Sequence, residues 1–157
     1  MTLDNGRFRA VLGHFASGIA VVTGMHDDGP AGFTCQSFFS LSLEPPLIAF
    51  APSKSSTSWP KASLTGNLCV NVLSSGQESV ARTFADSAAD KFGGVGWSPA
   101  AHGAPRLEGS LAWIDCKVET VHEAGDHWLV IARVTELEAR EGEPLLFYRG
   151  GFGTFKV

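Results

Sequence analysis

Charge is sparse and nearly balanced in this chain. It has 12 Lys and Arg against 16 Asp and Glu in 157 residues, a formal net charge of -4. A nucleic-acid binder carries a basic excess, so that class is excluded. Cysteine is scarce too. Cys35, Cys69 and Cys116 are far apart and odd in number, with no CxxC spacing. That excludes a disulfide framework and a zinc ribbon, and leaves free thiols in a reducing compartment. No run approaches the roughly 18 apolar residues of a membrane span. The N-terminus, MTLDNGRFRAVLGHF, has no basic segment leading into a long apolar one. The expected location is therefore cytoplasmic, with no membrane partner.

Familiar site motifs are missing as well. No GxGxxG follows a strand and no GxxxxGK[ST] occurs, so a nicotinamide cofactor would not bind in the Rossmann manner. The stretch Phe92–Trp97, FGGVGW, reads as a loop. His122 and His127 lie five apart with Gly125 between them. A zincin needs a spacing of four on a helix, so no metal site is expected. No GxSxG surrounds any serine.

What remains is a globular composition, 44% hydrophobic and 18% charged, with Gly 18. The length suits one domain spanning 1–157. Phe8, Val11, Leu12 and Phe15 form one apolar helix face, capped by Asp4 or Asn5 and ended by Gly18. Ile19–Thr23, Gly32–Phe39, Leu47–Ala51 and Asn67–Leu73 read as strands, and Asp27–Pro30 as a turn. Ser56–Ser63 starts a short helix with Pro60 in its first turn. Glu78–Phe84 is a helix with Val80, Ala81 and Phe84 inward. From Ala85 to Arg106 periodicity fails, and this long loop reads as a lid, a binding loop or a mobile segment, in which Phe92 and Trp97 are bulky enough to cover a pocket.

Leu111–Val121 alternates, with Ala112, Ile114, Cys116 and Val118 on one face and Asp115, Lys117 and Glu119 on the other. Trp128–Leu137 pairs with it through a turn at Glu123–Asp126. Pro144–Tyr148 is a last strand before a Gly-rich turn, Arg149–Gly153. Many strands, few short helices and no βαβ alternation predict a mainly β chain, an antiparallel barrel.

The densest chemistry lies in AGFTCQSFFSLSLEPPLIAFAPSKSSTSW, Ala31–Trp59. A first polar cluster, Thr34, Cys35, Gln36, Ser37 and Ser40, precedes Pro45-Pro46. A second, Ser53–Ser58, follows the strand and contains Lys54. Two such clusters joined by a strand can face each other across a groove, one donating to a flat heterocycle and the other holding a phosphate. The second cluster equally reads as a solvated turn with a helix cap at Ser56.

GFTCQSFFSLSLEPPL, PSKSSTSW, the Gly125-Asp126-His127 turn and LLFYRGGFG, in this order, resemble the short-chain flavin reductases of two-component flavin-dependent monooxygenases. These belong to the flavin reductase-like, FMN-binding split-barrel superfamily. The resemblance implies a split β-barrel that reduces free FAD or FMN with NADH (or NADPH), and a homodimer whose second subunit completes the flavin site. It also implies a separate oxygenase partner, an aromatic-ring hydroxylase. The implied flavin contacts are Phe33, Thr34, Cys35, Gln36, Ser37, Phe39, Ser40, Ser53, Lys54, Ser55, Ser58, Trp59, Phe84, Ala85 and Lys91. The phosphate would lie at Lys54 and Lys91, with Arg82 near the flavin. His127 would reach the nicotinamide as the catalytic group, and Phe147, Tyr148, Arg149 and Gly150 would complete the cofactor contacts. Hydride passes directly between the two rings, so the protein's part is positioning. A non-catalytic flavin-binding split barrel stays open as an alternative. A pyridoxamine phosphate oxidase-like enzyme ranks last, because 12 Lys and Arg are few for its phosphate substrate.

Overall fold

The computed structural model describes residues 2–157. In chain order the elements are α1 (Asn5–Leu12), β1 (Ser17–Gly18), β2 (Ala20–His26), β3 (Gly29–Cys35), β4 (Phe39–Ser42) and β5 (Leu47–Phe50). Then come α2 (Trp59–Ala62), β6 (Asn67–Val72), a 3-10 turn at Ser75–Gln77, α3 (Glu78–Ala85), β7 (Trp97–Pro99) and β8 (Pro105–Leu107). The long hairpin β9 (Ala112–Ala124) and β10 (His127–Ala139) and the short β11 (Leu146–Tyr148) and β12 (Gly151–Gly153) close the chain.

Seven strands form one antiparallel sheet in the order β3-β2-β6-β9-β10-β5-β4. Its two outer strands do not pair with each other, so the barrel is split, as expected. Two cores lie on opposite faces. Ala20 and Val22 of β2 enter one core with Phe33, Phe50 and Trp59, while Val21 and the preceding Ile19 enter the other with Leu73, Phe84 and Leu107. A strand buried on both faces reads as a continuous β-branched run, which is why Ile19–Thr23 shows no alternation.

The first core is organised by three rings. Phe33 on β3, Phe50 on β5 and Trp59 at the start of α2 have centroids 6.4, 6.1 and 5.8 Å apart pairwise. The Trp59 N–H donates to Ser56 Oγ at 3.1 Å, and Pro60 occupies the first turn of α2, where a missing N–H costs nothing. The helix crosses β2 at Gly24, where a β-carbon would fall 1.9 Å from the Ala62 carbonyl oxygen. No other residue allows that approach.

Several expectations change. Asp4 does cap α1, but the helix stops at Leu12 instead of Gly18, and none of its residues is buried. The Gly32–Phe39 segment is not one strand: β3 ends at Cys35 and β4 begins at Phe39. The Ala85–Arg106 loop is not a lid. Phe92 stacks edge-on against Phe84 at 4.9 Å and against Trp97 at 6.3 Å, filling the second core, and β7 pairs with β8. This small hairpin covers the outer face of β6 and β9. It therefore buries Asp115, which pairs there with Arg106, and the guanidinium is held further into its charged form by that bond. Beside them Asn71 donates to Val21 O at 2.9 Å and accepts from the Leu107 N–H at 2.8 Å, pinning β8 to the sheet.

Trp59→Ala should lower the unfolding free energy by about 3–5 kcal/mol, since it empties the middle of the three-ring cluster. Urea denaturation measures this, and a loss below about 1 kcal/mol would show that the cluster is dispensable.

Candidate functional site

A groove of about 530 Å³ opens above the Phe33–Phe50–Trp59 cluster, within the volume range of small-molecule sites. Its first wall is the exit of β3, Phe33–Ser37. Its second wall runs from Ala51 through Ser58. The end of α3 (Phe84, Ala85), Ser87, Lys91 and His127 complete it. The two polar clusters separated in sequence by β4 and β5 thus do face each other.

The first wall leaves the ladder at Cys35, so residues 36–38 lie between strands and present backbone donors. Ser37 braces the two walls. Its Oγ accepts from the Ala51 N–H at 2.8 Å and lies 3.1 Å from Cys35 Sγ. The Thr34 hydroxyl is spent on the Ala81 carbonyl at 2.6 Å, tying the wall to α3. Gln36 Oε1 accepts from Ser17 Oγ at 3.3 Å. Cys35 lies at the groove floor, and burial pushes its thiol up against the lowering effect of Ser37. That makes it a poor nucleophile.

At the other end the hydroxyls gather. Ser53 and Ser55 Oγ lie 2.8 Å apart. Lys91 Nζ donates to Ser58 Oγ at 2.8 Å and to Gly32 O at 3.0 Å. Both acceptors are neutral, and among the described residues no carboxylate lies within ion-pair distance of this ammonium. Burial lowers its pKa. A half-buried cation bonded to a hydroxyl and a carbonyl, with the Asp86 carboxylate acting on it only from beyond ion-pair distance, is suited to an anionic group such as a phosphate.

His127 enters from the start of β10. The hairpin turns in two residues, with Gly125 at φ 65, a conformation that favours glycine at the first turn position. His127 Nδ1 lies 2.7 Å from Asp126 Oδ1, and that bond holds the Asp126 carboxyl below its usual range.

Twelve of the implied flavin and nicotinamide contacts line the groove and eight others do not. Phe33–Ser37, Ser53, Ser55, Ser58, Phe84, Ala85, Lys91 and His127 line the groove. Trp59 supports the floor from below as part of the core. Lys54 sits just outside, its Nζ on Glu123 at 3.0 Å. Phe39 and Ser40 lie on the exposed outer strand β4. Phe147, Tyr148, Arg149 and Gly150 belong to the β11–β12 corner, where Tyr148 lines a separate hollow of about 250 Å³ with Phe152 and Thr154. Arg82 pairs with Glu78 and lies over the Phe152 ring at 4.7 Å. The groove also uses Ala51, Pro52 and Ser87. The first two follow directly from the end of β5, whereas nothing in the sequence singles out Ser87.

A split barrel with a groove that offers backbone donors at one end and a lysine–hydroxyl cluster at the other defines a binder of a flat, phosphate-bearing ligand. The chain belongs to the flavin reductase like domain family, which matches residues 12–156. It is 50% identical over 153 residues to the flavin-dependent monooxygenase reductase subunit HsaB of Mycobacterium tuberculosis, covering 96% of this chain and 82% of that protein. It is 50% identical to a flavin reductase of Pseudomonas putida, covering 98% and 91%. Among solved structures, the NADH:FAD oxidoreductase SgcE6 of Streptomyces globisporus C-1027, in complex with NAD and FAD fragments, superimposes with a TM-score of 0.90 at 35% identity, covering 98% and 93%.

The thiols supply a direct check of burial. Cys116 is pushed up to about 12 by desolvation, then by Asp115. At pH 8 its thiolate fraction is about a thousandfold below that of an unfolded cysteine. A disulfide reagent should find all three thiols promptly in denaturant and leave Cys69 and Cys116 untouched in the native protein. Rapid native labelling of either would contradict the packing described.

Proposed function

We propose that the chain is a single-domain NADH:flavin oxidoreductase, spanning 1–157, that reduces free FAD or FMN and releases it to a separate oxygenase. The sequence resemblance points to one acting on aromatic rings. The observation that carries the reading is Lys91, a cation held by neutral partners at the hydroxyl end of a groove large enough for a flavin. Family membership supplies the flavin, and the relatives named above act as reductases or reductase subunits.

The groove fits the ligand's two demands. Bound flavin supplies a two-electron acceptor for the nicotinamide hydride. The backbone at Gln36 and Ser37 would hold the polar edge of the ring, where donors stabilise added negative charge. Lys91, Ser53, Ser55 and Ser58 would hold the phosphate. His127 borders the open side, from which a nicotinamide would approach, and its task is orientation. Product release requires moderate affinity, about micromolar or roughly −8 kcal/mol. Three free thiols suit a reducing cytoplasm.

A homodimer is part of this proposal. Phe8, Val11, Leu12 and Phe15 of the N-terminal segment are 51%, 57%, 56% and 83% exposed. An isolated helix of this length is not stable in water, and a second copy covering its apolar face would secure it.

The test is NADH oxidation followed at 340 nm. Wild-type protein, sedimenting as a dimer, should oxidise NADH only when free flavin is added. Lys91→Met should raise the KM for FMN about tenfold while leaving that for riboflavin, which has no phosphate, nearly unchanged. No flavin-dependent oxidation would leave a passive flavin binder, and equal effects on both flavins would remove Lys91 from the phosphate site.

A further inference from the structure

We infer that Lys54 is a positioning residue for His127: with Glu123 and Trp128 it forms a latch that holds the tip of the β9–β10 hairpin at the rim of the groove. This rests on the reading above, in which His127 borders the nicotinamide. Ser53 and Ser55 both line the groove, with hydroxyls 2.8 Å apart. Lys54 and Ser55 form the middle of a turn that the Ser56 N–H closes on Ser53 O at 3.1 Å, and Lys54, unlike both serines, is not part of the groove lining but reaches the hairpin. Its Nζ meets Glu123 Oε1 at 3.0 Å and lies 4.9 Å from the Trp128 ring centroid. Glu123 and Trp128 are cross-strand partners, so the ammonium closes over one rung of the hairpin. The next rung, Ala124 with His127, is the last before the turn.

The backbone closes the same seam. The Lys54 N–H donates to Asp126 O at 2.9 Å, the Trp128 N–H donates to Pro52 O at 2.9 Å, and Ser53 bridges His127. Asp126 then holds the His127 ring through Nδ1 at 2.7 Å. The seam matters because the tip has little else to rest on. Every β9 residue from Glu119 to Ala124 is exposed, so near the tip the core reaches the hairpin only through the half-buried Trp128 on β10. Lys54 is 33% exposed at its side chain and Glu123 74%, which places the pair at the surface. The two lysines near the groove thus divide: Lys91 faces the ligand, and Lys54 faces the hairpin.

The test compares Lys54→Met, Glu123→Gln and the charge-swapped double variant Lys54→Glu/Glu123→Lys, with His127→Ala as reference. Both single variants should raise the KM for NADH about two- to fivefold, the range for one exposed ion pair. The KM values for FMN and riboflavin should stay together and unchanged, the swap should restore the NADH value, and His127→Ala should exceed either single variant. Amide hydrogen exchange at Lys54 and Trp128 should quicken in both single variants. A rise in the KM for FMN with riboflavin unaffected and Glu123→Gln silent would overturn the latch and make Lys54 a phosphate ligand. An unchanged KM for NADH in both single variants would also overturn it. Should wild-type protein fail to reduce flavin with NADH, the functional reading falls by itself. Amide exchange then decides the latch alone, and unchanged rates would overturn it.

Discussion

The Phe33–Phe50–Trp59 cluster is the contact on which the groove depends. Each ring comes from a different element, and each element continues into a wall or edge of the site. Phe33 is followed by the Thr34–Ser37 wall, Phe50 by Ala51 and the serine segment, and Trp59 directly follows Ser58. Ring packing at 5.8–6.4 Å, edge-to-face at Trp59 and tilted between the two phenylalanines, therefore sets how far apart two polar surfaces stand. The Ser37–Ala51 hydrogen bond fixes the same spacing at the surface. A split barrel leaves this opening by construction, because its outer strands β3 and β4 never meet.

The charge arrangement follows from the turn at Ser53–Ser56, closed by the Ser56 N–H on Ser53 O. Within Ser53–Ser55 the hydroxyls turn inward and the lysine turns outward, so the serine-rich segment serves the groove and the hairpin at once. The positive charge inside the groove comes instead from Lys91, 37 residues after Lys54, in a loop that is held down by Phe92 packing on Phe84. A half-buried aromatic packed on the core beside a ligand-facing cation holds it still, since the ring's packing restrains the backbone that carries the ammonium.

The fold was legible from Ile19–Thr23, Asn67–Leu73 and the Leu111–Leu137 hairpin, whose apolar patterns reflect burial on one or both faces. The two walls of the groove were legible because hydroxyls cluster on either side of one apolar strand. Three things were not. The role of Phe92 and Trp97 depends on a second core contributed by residues far apart in sequence, which local pattern does not reveal. Asp115 alternates like a surface residue and is buried because β8 lies across it with Arg106. Lys54 and its serine neighbours look alike in composition, and only the direction of each side chain separates them. The Phe147–Gly150 corner joined the site through resemblance alone, and the structure places it beside a different hollow.

The central claim is that the groove between Phe33–Ser37 and Ala51–Ser58 takes the flavin. Titrating FMN into isotopically labelled protein and following backbone amide resonances locates the site without requiring turnover. The account predicts that the large shifts fall at residues 33–37, 51–58, 84–91 and 127. Shifts concentrated instead at residues 146–154, with the groove silent, would contradict it.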